Sequence, residues 1–208
     1  HIGNYGVNSE DTEASKVYAA GLIIKNLPLE HSNFRATSDL SNYLQAQQTV
    51  AIAGIDTRML TRHLREKGAQ NGAIVAFRAG HAVTQQDIDQ AVAKSKKAPS
   101  MSGLDLASQV TVNESYEWRE TEWMLGAGYG KLHKPQFKVV ALDFGIKRNI
   151  LRMLAQRGCA VTVVPATTSA HQIMQLQPEG VFLSNGPGDP GPCTYAIEAT
   201  KTLIDKKI

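Results

Sequence analysis

Residues 137–208 alternate between strand and helix patterns three times, and this alternation constrains the fold more than any other feature of the sequence. Three short apolar runs predict buried strands at 137–142, 160–164 and 180–183. The segments after these runs predict helices around 150–154, at 169–176 and at about 194–206. Strands that alternate with helices in this way are typical of a parallel, doubly wound α/β sheet.

The loop after the third predicted strand, 184–192, reads SNGPGDPGP and contains three glycines and three prolines. In open parallel sheets, ligands bind outside the carboxyl ends of strands, which is where this loop begins. Gly186 and Gly188 let a ligand approach the main chain, while Pro187 and Pro190 stiffen its path. Two interpretations fit: a loop that merely ends a strand and starts a helix, or a rigid loop that offers backbone N–H groups to an oxygen atom.

The first part of the chain, 1–120, mixes strands and helices without a regular rhythm and predicts a separate mixed α/β domain. Strands are predicted within 16–26 and at 73–77. A segment rich in glycine and polar residues, 121–136, predicts a linker between this domain and the alternating region at 137–208.

Three helices are predicted in this first domain from their end signals. The first starts with Ser38 as its N-cap. The second is capped by Asp56 or Thr57 and ends at Gly68. The third is capped by Thr84, and its buried side is predicted to comprise Ile88, Ala91 and Val92.

Composition narrows the classes of function. The 22 basic and 19 acidic residues are interspersed and sum to +3, so nucleic acid is not indicated as a partner. Two distant cysteines fit neither a disulfide framework nor a zinc site, and a reducing cytoplasm is the expected location. No apolar stretch approaches membrane-spanning length, so no membrane partner is expected.

Asp143-Phe144-Gly145 has the same three residues as the DFG motif of protein kinases, but the other kinase motifs are missing. No HRD-type loop precedes it, and no glycine-rich loop or lysine strand is in place. It therefore marks the end of a strand, where Asp143 either caps the following helix or faces the active-site side.

The NGPGDP loop after an apolar strand resembles the glycine loop of class I glutamine amidotransferases. AIAGIDTRMLTRHLREKGAQNGAI at 51–74 and ALDFGIKRNILRMLAQRGC at 141–159 are similar to the small subunit of carbamoyl phosphate synthetase, as is the opening HIGNYGVN. The likeness runs through all 208 residues in order. It implies that subunit's N-terminal domain at 1–120 and, at 137–208, the N-terminal part of a flavodoxin-like amidotransferase domain, truncated before the nucleophile.

The resemblance implies glutamine hydrolysis. In such enzymes a cysteine thiolate attacks the glutamine side-chain amide, a histidine held by a glutamate moves the protons, and a thioester forms as ammonia leaves. A large subunit then uses the ammonia with ATP to make carbamoyl phosphate for arginine and pyrimidine synthesis. The resemblance implies no cofactor in the small subunit, and ATP and Mg²⁺ for the large partner. Gly186 and Gly188 match glycines whose backbone contacts glutamine, and the Gly186 N–H matches one oxyanion donor.

The sequence departs from the family's pattern at the catalytic groups. The family's nucleophile lies in a GxCxG motif after the next strand, and these 208 residues contain no such motif. None of the six histidines, which are predicted to be surface or structural residues, lies two positions before a glutamate. The resemblance thus implies an internal fragment that lacks both ends, carries no catalytic Cys, His or Glu, and is inactive by itself.

Neither cysteine fits the nucleophile's place. Cys193 has no strand before it and no elbow glycine after it, so it is predicted to be a partly buried thiol at a helix start. Cys159 is predicted to be a small core residue. Two alternatives stay open: a non-catalytic module that binds a large subunit, and another class I amidotransferase, such as an anthranilate or guanylate type.

Overall fold

Two units make up the chain in the computed structural model, which describes residues 2–208. They comprise His1–Ser100 and Met101–Ile208. The boundary therefore precedes the predicted linker at 121–136.

The described part of the first unit, residues 2–100, has two short strands and three helices. These elements are β1 (Gly21–Ile23), α1 (Leu40–Ala46), β2 (Val50–Ile52), α2 (Thr57–Lys67) and α3 (Gln85–Lys97). Strands β1 and β2 pair in parallel, with Leu22 opposite Ala51. Its hydrophobic interior is small and includes the buried side chains of Ile24 and Leu44.

Side-chain caps define the starts of these helices. Asp56 accepts a hydrogen bond from the Met59 N–H at 3.0 Å, and α2 ends at Gly68, as predicted. Thr84 forms a capping box with Asp87 at the start of α3, which confirms the predicted cap. The first helix differs from the prediction, because the cap is Asp39 rather than Ser38; its carboxylate accepts from the Asn42 N–H at 2.8 Å.

Two further predictions for the first unit were wrong. Residues 73–77 form no strand, since an apolar run becomes a strand only where another strand pairs with it. The predicted buried side of α3 is largely exposed: Ile88 and Val92 are 48% and 45% accessible, and Ala91 is half-buried. An amphipathic pattern predicts a helix, but a second element must cover its apolar face before that face is buried.

The second unit contains the predicted alternation. Its elements are α4 (Ala107–Val110), β3 (Tyr116–Trp118), β4 (Glu120–Met124), β5 (Gly128–Lys131), β6 (Phe137–Asp143), α5 (Arg148–Gln156), β7 (Cys159–Pro165), α6 (Ala170–Gln175), β8 (Gly180–Leu183) and α7 (Thr194–Asp205). Four strands form one sheet in the order β3-β7-β6-β8. β6 is parallel to both β7 and β8, which confirms the predicted parallel arrangement of these three strands. The edge strand β3, which was not predicted, pairs antiparallel with β7.

The segment predicted to be a linker, 121–136, instead carries β4 and β5, which pair as an antiparallel hairpin. This hairpin packs on α5 through Arg152, whose side chain is only 4% exposed and lies 2.7 Å from a Glu120 carboxylate oxygen. The Arg152 guanidinium also lies 4.0 Å from the centre of the Tyr129 ring. The glycines that suggested a flexible connector belong to the hairpin turn, where Gly126 and Gly128 adopt positive φ.

Apolar side chains pack on both faces of the four-stranded sheet. Leu142 and Val164 face one side, where they meet Ile173 of α6. Ala141 and Val163 face the other side and pack with Leu151 of α5. Parallel strands are buried on both faces, as this sheet is. Because β6 and β8 pair in parallel, their carboxyl ends lie side by side.

Candidate functional site

The glycine loop, 184–192, leaves the carboxyl end of β8 beside the carboxyl end of β6. At position 186 there is no room for a side chain, because a Cβ would lie 2.7 Å from the Phe144 carbonyl oxygen and 2.9 Å from the Phe144 Cβ. Because the nearest atom belongs to the Phe144 backbone, the structure has little freedom to shift and admit a side chain. Gly186 is therefore required by close packing, and the main chain of the loop is held against the end of β6.

Gly188 is required for two separate reasons. Its φ is +77°, a left-handed conformation that side-chain-bearing residues rarely adopt. A Cβ at this position would also lie 3.0 Å from the Leu106 Cδ1. The two glycines that sequence analysis selected are thus both constrained by the fold.

Side chains of the loop itself hold its start and its middle. At the start, the Ser184 hydroxyl accepts from the Phe144 N–H at 2.9 Å and donates to the Asn185 carbonyl at 2.9 Å. Further on, the Asp189 carboxylate accepts from the N–H groups of Gly191 at 2.9 Å and Gly103 at 3.2 Å. These hydrogen bonds lower the pKa of Asp189, so the carboxylate is charged at neutral pH.

Asp143, the first residue of the DFG motif, is a buried structural group. One of its carboxylate oxygens accepts from the N–H groups of Gly145 at 2.8 Å and Ile146 at 2.7 Å. The other accepts from the Val112 N–H at 2.9 Å. The carboxylate thus fixes the turn after β6 and joins it to the end of the segment that carries α4.

A cavity of about 490 Å³ lies against the glycine loop. Its lining combines the loop with one face of α7 and with Phe144, and includes Gly186, Pro187, Gly188, Cys193, Ala196, Ile197, Thr200 and Lys201. The volume suits a small molecule, and a mainly apolar wall with a few polar groups is typical of ligand sites. Leu183 of β8 also lines the cavity and is 44% exposed.

Both cysteines lie where sequence analysis predicted. Cys193 is buried at the N-cap position of α7, with its Sγ 3.7 Å from an Asp105 carboxylate oxygen. Cys159 starts β7 and packs against the core. The histidines of residues 2–208 are exposed, as expected of surface residues, and His1 lies outside the described residues.

Sequence analysis missed a polar cluster that joins α4 to α7. One carboxylate oxygen of Asp105 accepts from the Tyr195 hydroxyl at 3.2 Å and from the Ser108 N–H at 3.0 Å. The local part could have been found, because an aspartate whose side chain accepts from a backbone N–H shortly after it is a common turn signal. The contact with Tyr195 spans 90 positions and has no signature in a single sequence.

Across residues 2–208, no group of three or more His, Cys, Asp or Glu side chains could hold a metal ion. None of the helices described is both long and apolar enough to cross a membrane.

Two family models match separate parts of the chain. Residues 1–74 match the CPSase domain of the carbamoyl-phosphate synthase small chain, and residues 140–208 match class-I glutamine amidotransferase. The second match covers most of the four-stranded sheet and the whole glycine loop.

Similar full-length proteins agree with these matches. The chain is 63% identical over 99% of its length to a carbamoyl phosphate synthase small chain of Rubrivivax gelatinosus. It is 62% identical over 100% of its length to that of Ralstonia nicotianae, and 56% identical over 99% to that of Vibrio parahaemolyticus. It spans 53%, 53% and 54% of these relatives, or about half of their length. Its sequence, its α/β fold and both matches agree: the chain belongs to the family of carbamoyl phosphate synthase small chains.

Proposed function

We propose that the full-length protein hydrolyses glutamine and supplies ammonia for carbamoyl phosphate synthesis. The observation that carries this proposal is the glycine loop at the end of β8, packed so closely at Gly186 that a Cβ would meet the Phe144 carbonyl at 2.7 Å. A rigid main chain beside a cavity of about 490 Å³ suits recognition of a small carboxamide by backbone N–H groups.

In this proposal the backbone of Gly186 and Gly188 contacts glutamine. The Gly186 N–H donates to the oxygen of the tetrahedral intermediate, whose negative charge it stabilises. A cysteine thiolate attacks the amide carbon, the C–N bond breaks, and a histidine held by a glutamate delivers the proton with which ammonia leaves. Water then hydrolyses the thioester to glutamate. The cysteine, histidine and glutamate are assigned to the remainder of the full-length protein.

The partner in this proposal is a large subunit that consumes the ammonia. ATP and Mg²⁺ would bind to that subunit, and the small subunit would need no cofactor. The match of residues 1–74 to a small-chain domain favours this assignment over an anthranilate or guanylate type of amidotransferase.

A second role, binding of the large subunit without catalysis, has its own support within His1–Ser100. Leu29 is fully exposed and Phe34 is 82% exposed. Large apolar side chains on a surface are candidates for a protein interface. The two roles are compatible, because one unit could bind the partner while the other holds glutamine.

The experiment that tests the proposal uses the full-length protein together with the large subunit. We expect Gly186→Ala to lower glutamine-dependent carbamoyl phosphate synthesis by roughly 100-fold, since the new Cβ displaces the proposed oxyanion donor. Synthesis from added ammonia should not change. Gly180→Ala is the matched control, because a Cβ there meets no atom within 4 Å. Normal glutamine use by Gly186→Ala would contradict the proposed role of the loop.

The catalytic assignment also predicts how the parts behave separately. The 208-residue chain alone should release no ammonia from glutamine, and steady release by the purified chain would refute the assignment. Full-length protein should lose glutamine hydrolysis on thiol alkylation, because the proposed nucleophile is a cysteine. Activity that survives complete alkylation would contradict the thioester mechanism.

A further inference from the structure

A ten-residue segment, 103–112, runs beside the glycine loop, and we call it the brace. It contacts the loop at two points: the Gly103 N–H donates to Asp189 at 3.2 Å, and the Leu106 side chain lies against Gly188. Its far end is joined to the sheet, where the Thr111 hydroxyl accepts from the Ala166 N–H at 2.9 Å. The brace thus connects the loop to the carboxyl ends of the strands without belonging to either.

Asp105 lies at the centre of the brace and links it to the start of α7. Its carboxylate accepts from Tyr195 and from the Ser108 N–H, and the Cys193 thiol lies within hydrogen-bond distance for sulfur, at 3.7 Å. The Cys193 N–H in turn donates to the Pro190 carbonyl of the glycine loop at 3.1 Å. A path of short contacts therefore runs from Asp105 through the start of α7 into the loop.

The protonation states of this cluster favour strong hydrogen bonds. The pKa of Asp105 is lowered, chiefly by the hydrogen bond from the Ser108 N–H. This effect outweighs partial burial, which raises the pKa. Burial chiefly raises the pKa of Tyr195 above its usual value. At neutral pH an ionised carboxylate thus faces a neutral hydroxyl, and a hydrogen bond to a charged acceptor is about twice as strong as one between neutral groups.

We propose that Asp105 is a positioning residue of the glutamine site, which holds the start of α7 on the brace so that the Gly186 and Gly188 amides keep their places. This inference rests on the proposed function. The start of the glycine loop is fixed by β8 and Ser184, and Asp189 ties its middle to the brace. Its end leads directly into α7, where the Cys193 N–H donates to the Pro190 carbonyl. If α7 moves, the amides move with it, and a shift of about 1 Å in a reacting geometry can cost roughly 100-fold in rate.

The test compares Asp105→Ala with three other variants of the full-length protein in complex with its large subunit. Asp105→Ala should lower kcat/KM for glutamine by roughly tenfold to a hundredfold, with ammonia-dependent synthesis unchanged. Asp105→Asn should restore most of the loss, because its amide oxygen still accepts from Ser108 and Tyr195. Tyr195→Phe should show a smaller loss in the same direction. Asp205→Ala removes an exposed carboxylate at the far end of α7 and should match the unsubstituted protein.

Hydrogen exchange supplies a readout that does not depend on activity. The Gly186 and Gly188 amides should exchange faster in Asp105→Ala than in the unsubstituted protein or in Asp205→Ala. Unchanged exchange at both amides would overturn the positioning role whatever the kinetics. Equal losses of glutamine- and ammonia-dependent synthesis, with no rescue by Asp105→Asn, would overturn it in favour of a general folding role.

These outcomes separate the two proposals. A complex that never hydrolyses glutamine, even without substitutions, refutes the proposed function, while the exchange measurement still decides whether Asp105 positions the loop. If Asp105→Ala does not fold, Tyr195→Phe decides instead. It removes only the hydroxyl, so normal kcat/KM and normal exchange in that variant would refute the proposal.

Discussion

The two units of the chain differ in how far their apolar patterns become buried structure. In Met101–Ile208 a four-stranded sheet is covered on both faces, and Leu142 and Leu151 are completely buried. In His1–Ser100 the paired strands have three residues each, and the described side chains of α2 and α3 include no buried residue. This difference shows that a helical or strand pattern specifies an element, whereas the stability of the element comes from the surface that covers its apolar face.

The two units also differ in the kind of binding that each could support. The glycine loop depends on close packing at Gly186 and Gly188, which the second unit provides through its sheet, brace and α7. The first unit has strongly exposed apolar side chains, such as Phe34 at 82%, that are available to a partner. A rigid site and an accessible surface thus occur in different units of one chain.

The strongest test of this difference compares two leucine substitutions, one in each unit. We expect Leu142→Ala to lower the free energy of unfolding by about 2–5 kcal/mol, since it opens a cavity in the covered sheet. Leu64→Ala in α2, where the side chain is 37% exposed, should cost much less, about 0.5 kcal/mol. Denaturant unfolding followed by circular dichroism measures both values. Equal losses would mean that the units do not differ in this way.

Most of the second unit could be predicted because its signals are local. The strands at 137–142, 160–164 and 180–183 are apolar runs, and the glycine loop has a distinctive sequence. The hairpin was missed because its glycine-rich turn resembles a flexible connector, whereas its packing on Arg152 of α5 joins residues 32 positions apart. The role of Asp105 was missed because its partner Tyr195 is 90 positions away in the sequence.

A smaller effect tests whether the hairpin belongs to the second unit. Glu120→Gln removes the negative charge that pairs with the nearly buried Arg152 and should lower the free energy of unfolding by about 1–3 kcal/mol. Glu117→Gln is the matched control, because Glu117 and Arg119 form a pair that is exposed on both sides. Its loss should not exceed about 1 kcal/mol, the usual limit for surface ion pairs. Equal effects in the two variants would show that 120–131 is not packed on α5 in solution.

The smallest expected effect concerns acid and the start of α3 in the first unit. Hydrogen bonds from the Thr84 N–H, from His81 and from the Thr84 hydroxyl lower the pKa of Asp87 from 3.8 to about 2. A carboxyl group whose pKa is lowered by folding stabilises the folded state above its unfolded pKa and loses that contribution as pH falls through the folded value.

We therefore expect the first turn of α3 to fray between about pH 4 and pH 2, as Asp87 becomes protonated and its bonds to Thr84 weaken. Amide exchange at Asp87 and Ile88 measures the fraying. Asp87→Asn should have a weaker cap at pH 5 and show no further change on acidification, since it has no proton to gain. Fraying of α3 with the same midpoint in Asp87→Asn would assign the acid sensitivity to another group. Because α3 has no buried side chain, this loss should stay within the first unit and leave the exchange of Leu142 unchanged.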